Sequence, residues 1–287
     1  MTPSAGALGS RGAGGAGGAG GAVGRGLSRL SRYLPTVVVF FGAIVVWEVA
    51  VTALDLKAFL FPRPSAIGRA LVENWGGGSY ALVTSWQATI VEAIGGLVVG
   101  TVGGVVIALA TSRWASARDA LMPIAIAASA VPIVAFAPLM NNWFGTLSPL
   151  SKMMMAAALV FFPIMVNVTR GLIQVEPAAV ELMRAYAATE WTFLRKVRAP
   201  NALPFFFTAL KLATTLSLIG AIVGEYFGGS SLVLGRIIVQ SSSALRFDIT
   251  WAAVLMAAVT GIVLYLIVVA VERVVIPWHA SMRGQAP

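Results

Sequence analysis

Residues 176–204 read EPAAVELMRAYAATEWTFLRKVRAPNALP, a long basic segment between the fourth and fifth of the apolar runs that occupy most of the chain from about residue 36 to residue 272. Charges alternate in sign along it. Val180, Met183, Ala187, Phe193 and Leu194 fall where short helices would share one side, so the spacing predicts a turn-bounded pair of helices and not a floppy linker. Pro200 and Pro204 are expected to close the segment by preventing helix continuation into the apolar run that follows.

Outward from this segment the composition changes sharply. Of 287 residues, 58% are hydrophobic and 11% charged, with a mean hydropathy of +0.87. An ordinary soluble domain carries about 25% charged residues. Bilayer is the implied solvent. A helix rises about 1.5 Å per residue, so crossing about 30 Å of hydrocarbon takes roughly 20 apolar residues. Six windows meet that length: Thr36 to Leu54, Gln87 to Thr111, Leu121 to Trp143, Met153 to Val175, Phe205 to Phe227 and Thr250 to Val271. The expected fold is therefore an all-α integral membrane protein of six transmembrane helices, with the quoted segment between helices 4 and 5. Residues 1–34, opening on the Gly/Ala-rich stretch 1–26, read as a disordered tail, 35–280 as the transmembrane domain and 281–287 as a C-terminal tail. The apolar run from Pro35 is longer than a signal peptide's, about 7–15 residues, and no small-x-small site follows, so an uncleaved first span is expected.

Cytoplasmic loops retain Lys and Arg, and this fixes the orientation. With the N-terminus inside, 14 of the 20 basic residues lie inside, among them Arg29, Arg32, Arg113, Arg118, Arg184, Arg195, Lys196 and Arg198. Both termini are then cytoplasmic in a multi-pass cell-membrane protein, and residues 176–204 face the cytosol. The net charge of +9 does not imply nucleic acid, because the basic residues are spread among short loops rather than gathered on one stripe. Absence of cysteine excludes disulfides and thiol chemistry. His279 is a lone histidine in the tail, no metal cluster is visible, and no phosphate-binding loop of the Gly-x4-Gly-Lys-Ser/Thr kind occurs.

The order Glu181-Leu182-Met183, three residues, Ala187, nine residues, Val197-x-Ala199-Pro200 resembles the EAA loop of binding-protein-dependent ABC importer permeases, whose pattern is EAA, three residues, Gly, nine residues, Ile-x-Leu-Pro. Ala187 stands where the pattern has Gly, and Leu182, Met183 and Ala199 also depart from it. FLFPRPSAIGRAL (59–71), SAVPIVAFAPLMNNWFG (129–145) and FFPIMVNVTRGL (161–172) are similar to the nitrate, sulfonate and taurine branch. LPFFFTALKLATTLSLIGAIVGEYFGG (203–229) and ERVVIPWH (272–279) look most like its thiamine-pyrimidine and riboflavin members. The resemblance implies a coupling helix seated in a cytoplasmic ATP-binding subunit, with Glu181, Arg184, Ala187, Ala188, Thr189, Val197 and Pro200 as coupling residues. It also implies an extracytoplasmic solute-binding protein and a second permease copy, with ATP and Mg on the partner subunit and no cofactor or catalysis in this chain. Small size at Ala187 is read as room for close approach of the partner. The plainer alternative for this segment is a basic amphipathic helix lying on anionic lipid.

Other features carry two readings each. Gly96, Gly100 and Gly104, flanked by Gly95 and Gly103, bare one face of the second span, for static packing or for sliding. Pro123, Pro132 and Pro138 interrupt the third span, and Asn141 and Asn142 end it, making Met140, Asn141 and Asn142 pathway candidates or the span a packed kink. Glu48, Glu92 and Glu225 fall in the outer half of the membrane, where an outward vestibule would solvate them as pathway residues; Glu225 also has a structural reading. An ion-gradient-driven carrier using these three carboxylates is the alternative from another class, but no internal repeat supports it. Because the chain lacks cysteine, Thr189→Cys is expected to react with a membrane-impermeant maleimide only in opened cells, and Lys57→Cys in intact ones. The reverse labelling pattern overturns the orientation.

Overall fold

The structure is a computed structural model that describes residues 20–277 except 58, 60, 78, 79 and 130, without the side chains of 20–34, 115, 117, 118 and 129. His279 and the C-terminal tail lie outside the described residues. The chain divides into two units at Asp55. The first holds a single helix, α1 (Gly20–Ala53). It starts well inside the stretch expected to be a disordered tail. Leu27, Leu30 and Leu34 explain the difference, since their spacing carries the apolar period of the span back toward the N-terminus.

The second unit begins with α2 (Pro64–Glu73), whose proline stands at the first helical turn where no N–H partner is needed. α3 (Leu82–Arg113) follows, then α4 (Ala115–Ser129), a 3₁₀ turn at Ile133–Phe136, α5 (Ala137–Phe144) and α6 (Pro149–Ile173). The loop contributes α7 (Pro177–Ala185) and α8 (Glu190–Phe193), and a π turn at Leu194–Arg198 leads into α9 (Ala199–Phe227). α10 (Leu234–Ser243) and α11 (Phe247–Val275) complete it. No strand occurs among the described residues. Among the described residues, five helical runs are long and apolar enough to cross a membrane: Pro35–Ala53, Leu82–Arg113, Pro149–Ile173, Glu190–Phe227 and Phe247–Val275.

The window expected as a third crossing, Leu121 to Trp143, is instead two helices, Asp119–Ala128 and Ile133–Phe144, set at 92° to each other. Prolines explain the break. Pro132 lacks the N–H that would extend α4 and restricts the residue before it, and the backbone restarts as a 3₁₀ turn in which Ala135 N–H donates to the Pro132 carbonyl at 3.0 Å. A second correction concerns Pro200 and Pro204. The helix does not stop at them but runs through from Glu190 to Phe227. The wider π turn just before α9 relieves the clash that the Pro200 ring would make with the carbonyl four residues back, and Pro200 itself sits in the first turn of α9.

α6 is the central helix of the unit, with α3 on one side and α9 on the other. Glycines set both separations. A Cβ on Gly96 would lie 2.3 Å from the Ala156 Cβ, one on Gly100 2.6 Å from the Ala157 carbonyl oxygen, and one on Gly104 2.9 Å from the Phe161 carbonyl oxygen. From α9, a Cβ on Gly220 would come within 2.6 Å of the Ala156 Cα. In a bilayer, where lipid tails are as apolar as side chains, such backbone approach supplies the dispersion contact that replaces the hydrophobic drive. The seam continues downward as an apolar cluster of Ala108, Val160, Ile164, Val168, Leu172, Ala202, Ala209 and Ala213.

Polar links tie the outer helices to this triad. Trp86 donates its indole N–H to Thr260 Oγ1 at 2.6 Å, joining α3 to α11, and Lys211 grips both oxygens of Glu272 at 3.1 and 2.9 Å, joining α9 to α11. Gly100→Val is expected to force α3 from α6 and to cost about 1–3 kcal/mol or more of stability. Gly68→Ala, where a Cβ meets nothing within 4 Å, is expected to be near neutral. Thermal unfolding in detergent checks both, and equal melting temperatures for the two variants overturn the packing account.

Candidate functional site

The loop after α6 is built from capping chemistry. α6 ends with Gln174 N–H donating to the Arg170 carbonyl at 2.8 Å, and Glu176, in extended backbone, opens α7 with Pro177 at its first turn. At the other end, Ala187 N–H donates to the Arg184 carbonyl at 2.9 Å and Ala188 N–H to the Met183 carbonyl at 3.0 Å. Ala187 has φ +47°. These two bonds around a left-handed residue form a Schellman cap. Thr189 then caps α8, its Oγ1 accepting from Thr192 N–H at 3.3 Å. Arg198 folds back from the π turn, 3.7 Å from Glu190 and 4.5 Å above the Phe193 ring, so α7 and α8 enclose a small pocket whose walls carry Arg184, Glu190 and Arg198 beside Val180, Met183, Ala188 and Phe193.

The cap corrects the placement expected of Ala187. Its side chain is exposed and does not share the inner side with Val180, Met183, Phe193 and Leu194. A residue without a Cβ is favoured at this position because the backbone is left-handed, whereas an L-residue with a side chain costs about 1–2 kcal/mol there. Glu181, Arg184 and Thr189 are also exposed, whereas Ala188, Val197 and Pro200 are half-buried and support the turn from within. The arrangement adds three residues that the sequence pattern passed over. Leu182, Tyr186 and Trp191 are 56%, 74% and 70% exposed on a loop otherwise polar. Large apolar groups left exposed by a structured turn are surface that either a partner protein or lipid would cover.

Asn201 is the other residue missed. Its Nδ2 donates to the carbonyls of Gly171 at 2.7 Å and Gln174 at 2.9 Å, filling acceptors that the end of α6 leaves open. Just beside it a Cβ on Gly171 would lie 2.7 Å from the Ala202 Cα, so α6 and α9 meet backbone to backbone at the root of the loop. The only signal available in sequence was an amide next to Pro200, which does not name its acceptor.

The pathway candidates separate in space. Met140 is half-buried, Asn142 exposed, and Asn141 buried with its amide against the Gly228 backbone. α5 runs past both asparagines to Phe144. Glu48 belongs to the first unit, where its backbone carbonyl accepts from Thr52 Oγ1 at 2.7 Å. Glu92 and Glu225 correct the expectation of an open vestibule. They are 5% and 0% exposed, packed with Lys152 between α3, α6 and α9, and Glu225 Oε2 accepts the Gly235 N–H at 2.6 Å at the start of α10. The negative end of a carboxylate at a helix N-terminus is a structural use of that side chain.

Beside the 92° break lies a cavity of about 380 Å³, lined by Ala128, Val131, Ile133, Phe136, Leu159, Phe161, Phe162 and Pro163 among others, none of them charged. Phe161 and Phe162 stand edge to face at 5.0 Å, and Pro163 has no N–H to give to the Leu159 carbonyl. Val131 and Val134 at the break are 46% and 50% exposed on this chain. Irregular backbone at membrane depth is tolerated against protein or water but not against lipid, so this side of the unit faces one of the first two. Ala187→Gly is expected to relax the left-handed cap and slow amide exchange at Ala187 and Ala188, and Ala187→Val to speed it by about tenfold, as a loss of about 1–2 kcal/mol implies. Equal exchange in both variants overturns the cap account.

Residues 100–278 match the family described as binding-protein-dependent transport system inner membrane component. A Haemophilus influenzae protein named "Probable ABC transporter permease protein" is 30% identical over 82% of this chain and 93% of its own length. The riboflavin transport system permease protein RibX of Chloroflexus aurantiacus is 31% identical over 83% of this chain and 87% of its own. The formylaminopyrimidine transport permease protein ThiX of Halalkalibacterium halodurans is 27% identical over 88% of this chain and 99% of its own. With the family matching more than half of the chain, and a helical membrane architecture beneath it, the chain belongs to the inner-membrane permease components of binding-protein-dependent ABC transport systems.

Proposed function

We propose that this permease subunit couples ATP hydrolysis on a cytoplasmic partner to solute movement through α7, the helix that a groove of the ATP-binding subunit grips. The observation that carries this reading is the braced turn: a nine-residue helix, ended by a Schellman cap and rooted on both α6 and α9 through Asn201, with Leu182, Tyr186 and Trp191 turned out to water. A short amphipathic helix docked in a groove is a recurrent way to pass force between proteins. Glu181, Arg184 and Thr189 supply the polar rim of that contact, and Val197 and Pro200 hold its base.

Both termini face the cytoplasm, and residues 35–280 act as one six-crossing domain in which the bent pair α4–α5 completes one crossing. Two ATP-binding subunits need two coupling helices, and a second copy of this chain is the simplest supply. ATP and Mg stay on the partner. An extracytoplasmic binding protein hands the solute to the outward-facing dimer, and nucleotide turnover rocks the halves to the inward-facing state.

The solute is a neutral, flat heterocycle. The uncharged cavity at the break supports this choice: aromatic walls suit ring stacking, and a carbonyl without a helical partner suits a ring N–H. A nitrate, taurine or sulfonate anion would lose its hydration there without a countercharge. Relatives named for riboflavin and formylaminopyrimidine transport point the same way.

Glu181→Arg combined with Tyr186→Ala is expected to weaken co-purification with the ATP-binding subunits by about tenfold or more. Unchanged association removes the coupling assignment. Phe136→Ala is expected to raise the KM for uptake of riboflavin or an aminopyrimidine by the reconstituted transporter by about tenfold, as loss of a stacking contact of about 1 kcal/mol or more implies. Uptake of taurine by the parent transporter, unaffected by this change, overturns the solute assignment alone.

A further inference from the structure

Glu92 near the start of α3, Lys152 in the first turn of α6 and Glu225 in the last turn of α9 meet where the three central helices converge. All three are more than nine-tenths buried, at 5%, 1% and 0% exposure. Geometry brings the two carboxyl groups together: Thr89, one turn before Glu92, takes the Leu234 N–H, and Glu225 takes the next amide, that of Gly235, so that the two lie within electrostatic reach of each other. Ionised carboxylates only accept, so two of them cannot share a hydrogen bond. Lys152 does not supply the missing donor. Its Nζ donates to the Thr146 and Ser148 carbonyls, the latter at 3.3 Å, closing the turn before α6.

Two further observations point to a missing occupant. Glu92 Oε2 and Glu225 Oε1 are buried with no hydrogen-bond partner. Charge is also out of balance, since two carboxylates face one ammonium in a low-dielectric interior, where an uncompensated charge is expensive. Tyr226, the other titratable group within electrostatic reach of Glu225, adds no positive charge. A metal ion fits poorly, because no cluster of three or more His, Cys, Asp or Glu occurs among the described residues.

We infer that Glu92 and Glu225 form a proton-binding site, one proton being held between the two carboxyl groups beside the Lys152 ammonium. The proton turns an acceptor–acceptor contact into a donor–acceptor pair and brings the cluster to neutrality. It leaves Glu225 Oε2 free for the Gly235 N–H at 2.6 Å, while Thr89 Oγ1 takes the neighbouring Leu234 N–H at 3.0 Å. The start of α10 is thus capped by side chains of α3 and α9, and the shared proton keeps that cap from being pulled apart by like charges. This inference goes beyond the transport assignment and does not depend on it.

Infrared spectroscopy of the purified full-length chain in lipid, in H₂O and D₂O at neutral pH, tests it. The parent protein is expected to show a protonated-carboxyl stretching band that shifts on deuteration. Glu92→Gln is expected to abolish it while the melting temperature holds, because the amide N–H replaces the shared proton toward Glu225. Glu48→Gln, at a carboxylate of the first unit, is expected to leave the band in place. Absence of the band from the parent, or its survival in Glu92→Gln, overturns the site. A melting temperature that rises with sodium chloride and not with choline chloride, with no protonated band, assigns the site to sodium and overturns the proton.

Discussion

The fold depends on how closely three backbones approach one another. α6 lies between α3 and α9, and at Gly96, Gly100, Gly104 and Gly220 the missing Cβ is the space the neighbouring helix occupies. Water drives no burial here, so contact area and shape do that work. Once the seam closes, one end brings Glu92, Lys152 and Glu225 together, and the other sets Gly171 against Ala202 where the loop departs. Both polar sites of the unit are consequences of the same seam.

Departures from regular helix fall at places where the surroundings tolerate them. The 92° break between α4 and α5 frees backbone groups on a side that lipid cannot cover, next to a cavity with aromatic walls. The π turn at Leu194–Arg198 spends an extra residue so that the helix can carry Pro200 and still run on to Phe227. One irregularity opens a wall; the other keeps a helical rod continuous from Glu190 to Phe227.

Much of this was legible in the sequence, and the exceptions have physical causes. Apolar runs of the right length placed the crossings, and the spacing from Glu181 to Pro200 located the turn, because both are properties of local chain geometry. The glycine period of α3 revealed a packing face without naming α6 as its partner, since pairing depends on residues far apart in the chain. At Ala187 the sequence pattern marks a position where a small residue is wanted, and the backbone adds a reason that spacing does not carry, a left-handed φ of +47°. Glu92 and Glu225 were read as facing water because depth in the membrane can be counted from sequence, while the direction of a side chain around the helix axis cannot. Asn201 was invisible for the same reason, as its acceptors lie 27 and 30 residues earlier.

The double hydrogen bond of Asn201 has a mechanical meaning. A tilt imposed on the α7–α8 turn would reach α6 and α9 at one clasp, so neither could yield while the other stays behind. Since α6 is also keyed to α3 along the glycine seam, torque entering at this point is delivered to three rods as a rigid body, and compliance must be sought at the broken fourth and fifth helices instead.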